Sequence, residues 1–197
     1  MVRPRTTSDE EILAAAARAV GQVGAARLTL AAVAREAGLA PATLVQRFGS
    51  KRGLLLALAK HGSEGGASPF EAARAAHRSP LAALHAALAA LAAPVESPER
   101  MANNLSFLQL DLTDPEFREH AAADARRTNR RIADLLTDAV AAGELETRVN
   151  VPRLARAVQV AYNGALILWS LTGDTPLKQA LRADVDEVLD PHRSASS

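Results

Sequence analysis

Cysteine is absent from this 197-residue chain, and aromatic residues make up only 3% of it, with one Trp and one Tyr. The first absence removes disulfides, thiolate metal ligands and cysteine nucleophiles, and it fits a reducing compartment, so a cytoplasmic location is expected. The second leaves Ala and Leu to dominate a hydrophobic share of 48%, a composition that favours helix and offers little to a sheet. An all-α fold is expected. Long apolar runs are missing too: the uncharged stretches between Ser79 and Glu96 and between Ala157 and Gly173 are interrupted by His85, Pro94, Gln159 or Asn163 and fall short of the ~20 residues a membrane span needs. The opening "MVRPRTTSDEE" meets acids before any apolar stretch, so neither a signal peptide nor a membrane partner is expected. Catalytic patterns are also lacking. The five histidines, His61, His77, His85, His120 and His192, are dispersed, no H-E-x-x-H, G-x-S-x-G or phosphate-loop spacing occurs, and no histidine pair has i, i+4 ligand spacing. Catalysis, a resident metal and a cofactor are therefore not expected.

What the chain has is an uneven distribution of charge. The net charge is +1, yet residues 1–62 carry nine Lys/Arg against four acids while the remainder carries 14 against 18. A basic head on an acidic body is the electrostatic footprint of a protein that meets a polyanion. Ser8-Asp9-Glu10-Glu11 has the form of a capping box, and Ile12, Ala16, Ala19 and Val23 continue as one face of a helix ending before Gly24. Thr29 is the next cap, with Leu30, Val33, Ala34 and Ala37 on the buried side of a short helix stopped by Gly38. Pro41 suits the first position of a third helix closed by Gly49, and Ser50 caps a fourth running to about His61. The linker-like "GSEGGASP", residues 62–69, places a boundary between a head at 1–62 and a body at 63–197. In the body, proline-bracketed Ala-rich helices precede a long one from Asp114-Pro115 to Ala142-Gly143, and two more follow over 151–171 and 176–189. The tail "HRSASS" is expected to fray.

Two short helices joined by a tight glycine turn describe a helix-turn-helix over residues 30–49. With Leu44 and Phe48 facing inward, the second helix presents Ala42, Thr43, Val45, Gln46 and Arg47. Its small amino-terminal residues suit entry into a major groove. Arg47 can reach guanine or phosphate, Gln46 can pair with adenine, and Thr43 and Val45 can meet a thymine methyl. Residues 8–60 resemble the DNA-binding domain of the tetracycline-repressor (TetR) family of bacterial transcription regulators. The matching positions are Ile12-Leu13 with Ala16, Gly24, Thr29, Val33-Ala34, Ala37-Gly38-Leu39, Thr43-Leu44 and Phe48-x-Ser50-Lys51.

The resemblance implies a homodimer of all-α subunits, a three-helix head on each that binds double-stranded operator DNA, and a body that binds a small-molecule effector and releases DNA. It makes Thr29, Ala40, Pro41, Thr43, Val45, Gln46, Arg47 and Lys51 the DNA-binding candidates. Lys51 and Thr29 fall at phosphate-contacting positions. Val45 stands where the family usually has Tyr, Arg47 where it often has His, and Ala40 where a hydroxyl cap is frequent. A helical interaction protein with a degenerate head is favoured only by Val45 and Ala40. Arg3 and Arg5, ahead of the first helix, suit a minor-groove arm.

Residues 151–171 are apolar on nearly every side after Arg156, which demands cover all round. By the resemblance, the last two helices supply it across a twofold dimer interface. An effector pocket is mainly apolar with a few placed polar groups. In "MANNLSFLQLDL", Met101, Leu105, Leu108 and Leu112 form the expected core stripe, leaving Asn103, Asn104, Phe107 and Leu110 off it. Tyr162, Leu166 and Trp169 share another helix face. Those seven and His85 are the effector candidates. Arg126-Arg127 and Arg130-Arg131 are expected on a solvated face. The Ala- and Arg-rich composition fits a high-GC bacterial genome.

Overall fold

The computed structural model describes residues 7–64 and 68–194. Among the described residues the chain is helical, with no strand beyond an isolated bridge between Leu145 and Arg193. It divides into two compact units, Met1–Gly66 with Glu99–Ala123, and Ala67–Pro98 with Asp124–Ser197. The first unit is thus larger than a head ending at residue 62, because a segment from the middle of the chain joins it.

The first unit begins with α1, Asp9–Arg27. Its capping box forms as expected: the Glu11 amide donates to Ser8 Oγ at 3.1 Å, and the Ser8 amide donates to the Glu11 carboxylate at 2.8 Å. These bonds satisfy amides with no partner inside the helix, and Asp9, Glu10 and Glu11 meet the positive end of its dipole. Gly24 breaks the helix at φ 77° before a last turn to Arg27. Only glycine takes that angle without strain, and a Cβ there would lie 3.0 Å from Ser106 Oγ. Next come α2 (Leu30–Glu36), α3 (Pro41–Phe48) and α4 (Lys51–Glu64). The Ser50 hydroxyl accepts from the Gly53 amide at 3.1 Å and so caps α4, which continues three residues past His61. The core of the unit is built on Ile12, Val33, Ala34, Leu44 and Leu54. Each fully buried Leu or Ile contributes about 1.5–3 kcal/mol relative to exposure.

Helix α7, Pro98–Thr113, and the first turns of α8, Pro115–Ala141, complete this unit. The stripe expected to bury Leu108 and Leu112 is out of phase, since both are exposed. Phe107 and Leu110 pack on the head core instead, with Phe117 buried beside them and set edge-on to Phe107 at 5.9 Å between ring centres. Polar contacts set the phase: the Asn103 amide donates to the carbonyls of Gly21 and Gln22, and Ser106 Oγ accepts from the Ala25 amide at 2.8 Å. These bonds satisfy backbone groups left open by the break at Gly24.

The second unit holds α5 (Pro69–Ala76), α6 (Pro80–Ala92), the rest of α8, α9 (Val151–Thr172) and α10 (Leu177–Leu189). Helix α9 packs along α10, α5 along α6, and α10 against α6. Leu84, Leu88, Leu136, Val158, Val185 and Leu189 are buried in its core. Asn150 caps α9 through the Arg153 amide, and Gly173 ends it in the left-handed conformation. The tail is held further than expected: Glu146 donates its amide to the His192 carbonyl and Ser194 to that of Glu144. Residues 195–197 lie outside the described part, as do Arg3 and Arg5. No described helix is long and apolar enough to cross a membrane.

Candidate nucleic-acid interface and ligand clefts

The turn between α2 and α3 is fixed by backbone geometry. Gly38 takes φ 68°, and two hydrogen bonds close the end of α2, from the Leu39 amide to the Ala34 carbonyl at 2.8 Å and from the Gly38 amide to that of Arg35 at 3.3 Å. This is the Schellman arrangement, which needs a residue at positive φ and satisfies carbonyls otherwise left open. Ala34, fully buried at the bend, lets α3 approach closely. At the other end of α2, Thr29 Oγ1 accepts from the Ala32 amide at 3.1 Å, so this exposed side chain is a cap whose hydroxyl proton can still be donated outward.

Helix α3 is short and one-sided. Leu44 is fully buried and Phe48 packs partly against the same core. Ala40 is its cap residue without a side-chain bond, and Pro41 occupies the first turn. Ala42, Val45 and Gln46 face solvent and Thr43 is half-buried. Val45, 50% exposed, is an apolar side chain at the centre of the outward face.

Arg47 is exposed and also tied within the head. Its Nη1 donates to the Thr7 carbonyl at 2.7 Å and to Asp9 Oδ1 at 3.1 Å. These bonds tie the guanidinium to the start of α1. Lys51 lies at the start of α4, with its Nζ donating to the Ala26 carbonyl at 2.6 Å, which leaves two N–H groups of the ammonium for another acceptor. Next to it, Arg52 Nη2 donates to both Asp114 oxygens and to Glu116, and its guanidinium lies 5.6 Å from the centre of the Phe117 ring. Hydrogen bonding from Arg52 holds the Asp114 carboxyl below the usual range, and the same bond raises the Arg52 guanidinium further.

The eight effector candidates are divided between the two units. Asn103, Asn104, Phe107 and Leu110 belong to the first unit, where Asn103 fastens the Gly24 break and the two apolar residues pack on the head. His85, Tyr162, Leu166 and Trp169 belong to the second. There Trp169 Nε1 donates to the Thr175 carbonyl at 2.8 Å and closes the α9–α10 turn. Tyr162 is buried, and burial pushes its phenol up to about 12. Leu166 is core. His85 lines a cleft of about 350 Å³ with His77, Leu88, Lys178, Leu181 and Arg182. Its Nε2 lies 3.0 Å from Asp186, but burial lowers its pKa more than the carboxylate raises it. The Arg run on α8 is partly paired, Arg127 with Asp124 and Arg131 with Glu71, while Arg126 and Arg130 are exposed.

A second cleft, of about 470 Å³, lies wholly inside the first unit, between the end of α1, the start of α4 and the α7–α8 junction. Of the effector candidates only Leu110 lines it. Ser106, Gln109 and Thr113, three polar residues at i, i+3 and i+7 along α7, were the sequence signal for it.

Two family models match the chain. Residues 12–58 match the bacterial regulatory proteins of the tetR family, and residues 80–193 match the C-terminal domain of BetI-type transcriptional repressors. The chain belongs to the TetR family. It is a DNA-binding transcriptional regulator and not an enzyme. A curated relative, the HTH-type transcriptional regulator BetI of Brucella anthropi, is 27% identical over 91% of this TetR-family chain and 90% of its own length. Among solved structures, a TetR regulator from Haloarcula marismortui superposes with TM-score 0.75 at 21% identity, covering 94% of this chain and 98% of that one. The Thermus thermophilus repressor FadR, in complex with lauroyl-CoA, superposes with TM-score 0.62 at 22% identity over 96% and 97%.

Proposed function

We propose that this regulator acts in the cytoplasm as a homodimer that grips a near-palindromic operator through two copies of α3 and is released when a small molecule binds its helical body. The observation that carries the reading is the outward face of α3. Thr43, Val45 and Gln46 stand there on a helix locked from behind by Leu44, and the side chain of Gln46 makes no hydrogen bond within the described chain. Gln46 has the paired donor and acceptor that adenine presents in the major groove, and Val45 with Thr43 supplies apolar contact for thymine methyls. Thr29, Ala40 and Pro41 are exposed at the starts of α2 and α3, and Lys51 contributes phosphate attraction that carries no sequence information.

Dimerisation is supported by α9. Val160, Gly164, Ile167, Leu168 and Leu171 recur on one side of it, and Val160 and Leu171 are 59% and 78% exposed. A second copy of the same helix is the partner that covers such a strip symmetrically, and two heads can then meet half-sites about one helical turn apart. For the effector, FadR's lauroyl-CoA, an apolar acyl chain on a phosphorylated coenzyme, is an example of a ligand with an apolar part in a related fold. In this chain the candidates in the second unit are His85, which lines its cleft, with Tyr162, Leu166 and Trp169 on α9.

The test is binding of the purified chain to duplexes from the region upstream of its own gene, followed by fluorescence anisotropy over a range of salt. Submicromolar binding that weakens steeply with salt is expected. Absence of binding even at low salt leaves a helical binding protein with a silent head.

A further inference from the structure

We propose that the cleft in the first unit is a binding site for a small amphipathic anion, separate from any effector site in the body, with its charge held by Lys51 and its apolar part lying on Leu55, Leu110 and Phe117. The cleft's size, about 470 Å³, falls in the usual range for small-molecule sites, ~300–1,000 Å³. Its floor is apolar: Phe117 and Leu55 are buried, and Leu110 packs on the same core. The rim selects the charge. Lys51 donates one N–H to the neutral Ala26 carbonyl, and among the described residues no carboxylate pairs with it. Arg52 is instead held by two carboxylates, Asp114 and Glu116, a cluster that leaves it no charge to offer a ligand, so Lys51 is the cation that meets an anion.

The remaining polar groups narrow the ligand further. Ser106 accepts from Ala25 and donates to the Asn103 carbonyl, and Thr113 donates to the Gln109 carbonyl. The exposed Gln109 side chain makes no hydrogen bond within the described chain, so it can meet one ligand oxygen. A cation meets Lys51 as a like charge. A wholly apolar molecule covers the ammonium without answering it, and burying an unanswered charge is costly. Inorganic phosphate answers the ammonium and leaves the floor bare. An acyl or aryl carboxylate satisfies both.

The consequence rests on the DNA-binding reading above. Lys51 is the same donor that faces DNA phosphate, so occupation of the cleft and binding of the operator exclude each other. Ligand here acts on the head directly.

The experiment uses the full chain and decanoate as probe, below its micelle-forming concentration, titrated by calorimetry in the absence of DNA. Decanoate is expected to bind. Lys51→Met should weaken it about tenfold, the loss of one charge-assisted bond, and Lys51→Arg should restore it. Gln109→Trp, at an exposed rim position, should block the cleft while leaving the thermal midpoint unchanged. Decanol should bind about tenfold more weakly than decanoate. The proposal is overturned if decanoate does not bind, if neither Lys51→Met nor Gln109→Trp changes its affinity, or if decanol binds equally well. A separate anisotropy titration with duplex DNA should show decanoate displacing DNA from the natural chain and not from Gln109→Trp. A chain that binds decanoate through Lys51 and never binds DNA keeps the site and refutes the DNA reading.

Discussion

Arg47 and Gln46 are neighbours in sequence with opposite prospects. Arg47 is tied to Thr7 and Asp9, an exposed ion pair worth only about 0.2–1 kcal/mol of stability, whereas Gln46 stands on the outward face with its amide unused. Arg47→Ala is therefore expected to weaken binding to every duplex by a similar factor. Gln46→Ala should flatten the preference for the operator over a base-substituted duplex by about 1–3 kcal/mol. Anisotropy on the two duplexes separates the outcomes, and a loss of preference in Arg47→Ala contradicts this placement. His85 gives a second prediction. Burial lowers its pKa below 6.5, with Asp186 opposing and Arg182 and Arg193 reinforcing the shift. The unfolded chain then takes a proton more readily than the folded one. Stability is full above pH 6.5 and falls as the pH drops below it. His85→Gln should flatten that decline in urea midpoints measured across the range.

At the scale of elements, local chemistry and packing divide the credit for what can be read. The caps at Ser8, Thr29 and Ser50 formed where hydroxyl-bearing residues precede helical patterns, because capping is decided within four residues. The α2–α3 turn was legible for the same reason, since Gly38 alone permits the bond from Leu39 to Ala34. Arg47 was legible as exposed but not as tied, because its partner Asp9 is 38 residues away. Helix α7 was misread. Its leucines at 105, 108 and 112 make a valid amphipathic stripe, yet Asn103 and Ser106 answer the backbone opened at Gly24, some 80 residues earlier, and that demand turned Phe107 and Leu110 inward. Asn103 and Phe107, both effector candidates, are thereby drawn onto the head. The packing itself is testable at Leu44, which is fully buried between α3 and the rest of the head. Leu44→Ala should cost about 2–5 kcal/mol, read as a lower urea midpoint, and should abolish DNA binding by freeing α3. A loss under 1 kcal/mol would mean that α3 is not anchored as described.

For the whole molecule, the decisive quantity is the gain from holding two heads on one operator. A single eight-residue recognition helix reads few base edges, and the second copy adds its contacts at an effective concentration set by the body rather than by free diffusion, a gain of about 10²–10⁴ in affinity. The proposed connection runs through the apolar strip of α9, which lies far along the sequence from α3. Leu168→Glu with Leu171→Glu places two charges on that strip at positions already exposed in the subunit. The fold of each subunit should therefore survive, with unchanged helical circular dichroism. The double variant should run as a monomer by light scattering at micromolar concentration, where the natural chain runs as a dimer. Its affinity for the full operator should fall by about 10²–10⁴ while its affinity for a half-site stays the same. A variant that remains dimeric moves the interface off α9. A variant that becomes monomeric and keeps full operator affinity removes the need for paired heads, and with it the palindrome.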